Sequence, residues 1–505
     1  MPNETELKLR IAPEHASDFA QLPSLKAATQ YEPKSLYNTY FDTPKHDFLQ
    51  ARIGLRVRHI EDKRIQTLKT AGTSYGGLHQ RQEWETEISS DTPDYSVLPK
   101  KVLPKWCRQQ DKLKSIQPVF TTDFTRTQWD VSFDDGSLVE VVLDQGEVRT
   151  KEHRLPLNEV ELELKAGSPL KLYQLALDFQ KSIPLTLENH SKAARGYGLH
   201  HSQPLQYHKA SRLNLAVDLN AEQGFEQICW HCIAHLQANE DMVLYGQDIE
   251  GVHQMRVALR RLRSAFSLYK GLVPAETNKW LRDEIKWIND VLGVARDWDV
   301  FELTLKDAQA VSPHQPEVLN TVLEKVNVLQ KQAYIDVREA VRSPRYTCLL
   351  LTLGQWLTAK AWQESIDKKM CSKLDHPIQA FTSTVLQKQY DRIYKKGRYL
   401  TKLVPEARHE VRIMVKKLGY GVRFFSELYP SRTTKPFIKA LSSLQDGLGI
   451  LNDVSVAEQL IAQLALSDDE PARHFLAGWY AHLYQTHLTD IADVWDNFTK
   501  QEIFW

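Results

Sequence analysis

The chain has little cysteine, no excess of either charge and no long apolar run. Its five Cys in 505 residues (107, 229, 232, 348 and 371) are odd in number and follow no framework spacing. Free thiols in a reducing compartment are therefore expected rather than a disulfide scaffold. Lys plus Arg number 64 and Asp plus Glu also 64. No global field draws the chain to nucleic acid, so any polyanion site must be a local concentration of basic groups. The longest stretch without Asp, Glu, Lys or Arg, residues 474–489, contains three His and is too short and too polar to span a bilayer. The opening Met-Pro-Asn-Glu-Thr-Glu lacks the basic-then-apolar order of a secretory signal. A glycine-rich Walker loop is missing as well, so phosphates would have to be held by side chains. Apolar residues at 42% and charged residues at 25% exclude wholesale disorder. The expectation is a soluble, cytoplasmic, multidomain protein with no nucleic-acid or membrane partner.

Residues 1–200 alternate with period two in several runs, among them Glu4–Arg10, Gly54–Arg58, Ile65–Lys69, Arg81–Glu87 and Glu159–Lys165. In each run one face is apolar and the other charged. One such strand reads as a solvated sheet face with cross-strand ion pairs. Several together make a closed barrel with a polar lumen competitive, and closure also removes exposed edges. Residues i, i+2 and i+4 share a strand face, so Glu4, Glu6 and Lys8 point the same way. Two carboxylates about 6–7 Å apart along a strand suit a hard divalent cation. Glu161 and Glu163 form a second such pair. Arg56, Arg58, Lys69, Arg81, Arg126 and Lys165 would line the rest of the lumen. Acids for metal beside bases for oxyanions suggest a polyphosphate-type substrate chelating Mg²⁺ or Mn²⁺.

Glu4-Thr-Glu-Leu-Lys8 is an ExExK signature and resembles the CYTH family, the triphosphate tunnel metalloenzymes. Tyr40-Phe-Asp-Thr43, Leu55-Arg-Val-Arg58, Thr67-Leu-Lys69, Arg81–Glu85, Thr125-Arg126, Glu140–Asp144, Glu161–Lys165 and Ser191–Tyr197 follow in the family's order. The resemblance implies an antiparallel eight-stranded tunnel that hydrolyses a triphosphate with divalent metal. By that likeness Glu4 and Glu6 hold one metal, and Glu161 and Glu163 help hold a second or order the attacking water. Lys8, Arg56, Arg58, Lys69, Arg81, Arg126 and Lys192 clamp phosphate oxygens. Glu83, Glu85, Glu140 and Glu159 also fall on faces a lumen would share, with no role chosen among them.

After residue 200 the pattern changes to long amphipathic helices separated by prolines. His253–Leu262 matches His409–Leu418 at an offset of 156, and Asp290–Asp297 matches Asp446–Asp453 in the same register. Duplication into two helical bundles about a pseudo-twofold axis follows. His253, Arg256, Arg260 and Arg263 form one helical stripe, and His409, Arg412, Lys416 and Arg423 its counterpart. Lys395 and Lys396 precede the second. A basic stripe is usually a solvated face, but like charges at this spacing repel unless an anion is present. The duplicated stripe therefore points to a polyanion groove. These helices resemble the conserved-histidine α-helical domain, CHAD, which implies binding of inorganic polyphosphate.

The expected fold is multidomain α+β, with an N-terminal eight-stranded β-barrel tunnel and a C-terminal all-α domain of two repeats. Expected bounds are 1–200 for the tunnel, 201–214 for a linker, 215–495 for the helical domain (repeats about 215–375 and 376–495) and 496–505 for a tail. The expected activity is metal-dependent hydrolysis of inorganic triphosphate to pyrophosphate and phosphate. Alternatives are a class IV adenylate cyclase, a thiamine triphosphatase or a non-catalytic polyphosphate-binding scaffold.

Overall fold

A computed structural model describes residues 3–201, 204–274, 276–311, 316–467 and 470–505, so positions 202 and 203 of the expected linker lie outside the described residues. The chain divides into two compact units, Met1–Leu205 with Arg342–Lys360, and Gln206–Val341 with Ala361–Trp505.

Eight long strands build the barrel of the first unit: β1 (Asn3–Ile11), β2 (Lys34–Asp42), β3 (Gly54–Ile60), β4 (Lys63–Lys69), β5 (Leu78–Ile88), β6 (Gln117–Ser132), β7 (Leu138–Arg149) and β8 (Arg154–Ala166). They pair antiparallel in the order β1-β8-β7-β6-β2-β3-β4-β5, and β5 returns to β1 through Glu4 opposite Arg81. The sheet closes, as the repeated charge alternation predicts. Closure puts one face of every strand inside, so the charged positions of β1, β3, β5 and β8 converge.

The other face carries the apolar core. Leu7 and Leu9 of β1 and Val160 and Leu162 of β8 are buried outside the barrel, beside helix α1 (Leu170–Gln180), which packs against both strands. Helix α2 (Lys192–His200) begins at Ser191, whose side chain accepts the Ala194 N–H, and packs on β6 and β7. An added Cβ at Gly196 would lie 2.1 Å from the Phe120 ring, so only glycine permits that approach.

The second unit begins with α3 (Ala221–Gln237), capped by a reciprocal Asn220–Gln223 box. It continues with α4 (Glu250–Leu268), α5 (Lys279–Ala310) and α6 (Pro316–Arg342). After α7 (Pro344–Thr358) come α8 (Ile378–Gly397), α9 (Pro405–Phe425), α10 (Ser431–Gln463) and α11 (Pro471–Thr499). The offset of 156 carries α3, α4, α5 and α6 onto α8, α9, α10 and α11 within a few residues. The duplication therefore covers four helices, not only the two matched segments. Helix α4 packs against α9 and α5 against α10, so the repeats meet through equivalent elements.

Helix α7 lies inside the span expected for the first repeat, yet it groups with the barrel unit. It packs on α1, with Tyr173 filling the space above Gly354. Its Leu349–Leu351, Leu353, Trp356 and Leu357 are all buried. No described helix is long and apolar enough to cross a membrane.

Candidate functional site

All eight strands contribute to a cavity of about 560 Å³ along the barrel interior. Lys8, Arg56, Arg58, Lys69, Arg81, Arg126, Lys165 and Lys192 all line it, as do Glu4, Glu161 and Glu163. The charges sort by position. Glu4 accepts hydrogen bonds from Lys69 at 2.8 Å and from Arg81 Nε at 2.9 Å. Burial alone would raise its pKa, but Lys69 and Arg81 hold it well below the usual carboxylate range. Glu161 is gripped by Lys8, by Lys192 at 3.1 Å and by Arg126 at 3.1 Å. Those three cations overcome burial and lower it strongly.

Glu6 is more enclosed than Glu4. It is 2% exposed, pairs with Lys8 at 2.7 Å and with Arg81, and is not among the described residues lining the cavity. Lys8 and Arg81, the cations it pairs with, both line the cavity, and Glu6 shares the inward face of β1 with Glu4 and Lys8.

Beside Glu4 stand Glu83, Glu140 and Glu163, all lining the cavity. Burial raises Glu163, and Glu4 and Glu140 add to the rise while Lys165, 2.9 Å away, offsets part of it. Burial likewise raises Glu83, with Glu4 contributing. These are oxygen donors whose mutual repulsion a cation would relieve, which is the donor chemistry of a hard divalent ion. A second carboxylate cluster, Asp144, Glu159 and Glu161, has oxygens within 4.8 Å of one another. It is already neutralised by Arg126, Lys192, Arg195 and Lys8.

Further along, cations outnumber acids. Arg58 donates to Asn38 at 2.8 Å, and among the described residues no carboxylate oxygen pairs with it. Burial, then Arg56 and Arg126, pushes its pKa down to about 9. Tyr40 lies in this group, and its phenol is lowered because Arg56, Lys192 and Arg58 outweigh burial. A buried guanidinium among like charges is destabilised until an anion arrives. Sequence reading missed Tyr40, Lys34 and Arg52 as lining residues. Lys34 and Tyr40 share a face of β2, but Leu36 between them hides the alternation.

In the helical unit α4 and α9 bring His253, Arg256, Arg260, Arg412 and Lys416 into one electrostatic cluster with Arg296 of α5. Burial, then Arg412 and Arg260, lowers Lys416 to about 7. Burial, then Arg296 and its neighbours, lowers His253 to about 3. Asp297 and Asp453, equivalent residues of the two repeats, sit within this cluster and influence one another. Other stripe members go elsewhere. Arg263 neighbours Lys417, Arg423 donates to Ser442 at 2.9 Å, and Lys396 pairs with Glu410 at 2.6 Å. Lys395 is exposed on α8. His409 meets Asn452 at 2.7 Å, where the first repeat has Arg296.

Comparison with known proteins agrees with both geometries. Residues 2–197 match the CYTH domain and residues 227–462 the CHAD domain. An inorganic triphosphatase of Haemophilus influenzae is 34% identical over 239 residues, 44% of this chain and 64% of that protein. An uncharacterized protein of Mycobacterium tuberculosis is 30% identical over 126 residues, 24% of each chain. This chain thus spans less than two thirds of the length of these relatives. The crystal structure of the CHAD domain from the plant Ricinus communis is similar at a TM-score of 0.50 and 28% identity, over 60% of this chain and 99% of that one. The tunnel region accordingly matches the CYTH domain and the paired bundles match the CHAD domain.

Proposed function

We propose that the tunnel binds inorganic triphosphate and hydrolyses it to pyrophosphate and phosphate with a divalent cation, Mg²⁺ or Mn²⁺. The observation that carries this reading is the graded lumen. Arg58, a cation with no carboxylate partner among the described residues, lies in the same cavity as the carboxylates Glu4, Glu83, Glu140 and Glu163. Arg56, Arg58, Arg126 and Lys192 would hold phosphate oxygens from several sides, fixing the chain along the tunnel. Lys8, Lys69 and Arg81 would neutralise charge nearer the acids. Glu4, Glu83 and Glu140 would hold the divalent cation, which when bound supplies charge neutralisation on the phosphoryl oxygens. Glu163, which burial raises above the ordinary glutamate range, would in its ionised form accept a proton from the attacking water. Phosphoryl transfer needs positioning and charge stabilisation more than a covalent group, and the lumen offers those. The triphosphatase relative from Haemophilus influenzae supports this substrate over the nucleotide and thiamine alternatives.

The helical unit is proposed to bind inorganic polyphosphate in the groove between α4 and α9. Its cations repel in the absence of an anion, and a polyanion would restore the charge that burial removes from Lys416. Neutralising Arg256, Arg260, Arg412 and Lys416 together should weaken polyphosphate binding at least tenfold and flatten its salt dependence, measured by titration at several ionic strengths. Unchanged affinity and slope would refute the groove. Phosphate release from triphosphate, set against ATP, thiamine triphosphate and long-chain polyphosphate, tests the tunnel.

A further inference from the structure

Outside the tunnel, three imidazoles converge on the surface of the barrel unit. His46 lies in the turn after β2, and His200 and His201 stand at the end of α2. The ring centroid of His46 is 5.4 Å from that of His200 and 6.0 Å from that of His201. Zn–N bonds of about 2.0–2.1 Å place two imidazoles on a shared ion with centroids about 5–6 Å apart. The observed spacings fall in that range.

The framework beneath is rigid. Asp42 accepts the backbone N–H groups of Thr43, Phe48 and Leu49 at 2.7–3.0 Å, which shapes the turn carrying His46. Tyr197 of α2 donates its hydroxyl to the same carboxylate at 2.8 Å, locking helix to turn. Residues 154 apart in sequence are thereby held face to face. Both His200 and His201 are exposed, so the cluster is open to an ion from solvent.

We propose that His46, His200 and His201 form a transition-metal site, selective for Zn²⁺, Ni²⁺ or Co²⁺ over Mg²⁺. An imidazole set prefers borderline ions, whereas the oxygen set in the tunnel prefers hard ones. The ring nitrogens do not yet meet at one point, so binding includes rotation of the exposed rings. An ion there clips α2, which carries Lys192, to the turn after β2.

The probe is Co²⁺, titrated into the full chain in a large excess of Mg²⁺ and followed by visible absorption and equilibrium dialysis. One Co²⁺ per chain should bind, be displaced by Zn²⁺, and raise the thermal midpoint. Affinity should fall at least tenfold in His46→Ala and in His200→Ala and stay unchanged in Glu4→Gln. Absence of Co²⁺ binding in excess Mg²⁺, or unchanged affinity in either histidine variant, would overturn the proposal. His200 is exposed and His46 half-buried, and thermal midpoints of both variants without metal check that they fold.

Discussion

A single lysine shows how the lumen sets its own chemistry. Lys165 stands 2.9 Å from Glu163 and 3.5 Å from Glu140, and its charge pulls Glu163 back from the rise that burial imposes. If Glu163 must be ionised to work, activity is lost as pH falls through its pKa, which lies above the ordinary glutamate value. Removing the cation raises that pKa further. Lys165→Met should therefore move the acid limb of kcat/KM to higher pH, read from pH profiles of the two proteins. An unmoved limb would separate Glu163 from the chemistry. Residues of this kind were legible in the sequence because strand alternation assigns faces without knowledge of packing. Glu6 shares its face with Glu4 and Lys8, and its pairing with Lys8 and Arg81 depends on packing that alternation does not give. Asp297 and Asp453 stood out as matched positions of the repeat, but their place beside the basic cluster was not legible. Their role depends on α4 and α9 meeting across the repeat, which no local pattern encodes.

Among the elements, α2 links the core to the cavity. Its Gly196 rests on Phe120, and Phe120 cannot give way, because Tyr40 stacks on it at 4.5 Å and Tyr197 meets its edge at 5.1 Å. Gly196→Ala places a methyl in that ring. The helix propensity gained, at most about 1 kcal/mol, is outweighed by overpacking of about 1–3 kcal/mol. The barrel unit should lose several degrees of thermal midpoint in calorimetry, and an unchanged or higher midpoint would contradict this packing. Strands and amphipathic helices were readable from their periods. Helix α7 was not placed by the same means. Its run of leucines announces burial on every side but says nothing of the surface it joins, and that surface is α1 of the barrel unit.

Across the whole chain, a near-even balance of charges conceals two strong local fields. Closure of the barrel concentrates acids and bases inside one cavity, and duplication of four helices concentrates cations between α4 and α9. Both were foreshadowed by order along the sequence, one by repeated alternation and the other by two matches at a single offset. The account stands on the tunnel acting as a metal-dependent triphosphatase. Phosphate and pyrophosphate release from inorganic triphosphate, with Mg²⁺, with Mn²⁺ and without either, in the wild-type chain and in Glu4→Gln, tests that most directly. Equimolar products that require the metal, faster than from ATP or thiamine triphosphate and reduced at least a hundredfold in the variant, are the predicted result. No release with any metal, or release at the same rate in Glu4→Gln, would contradict it.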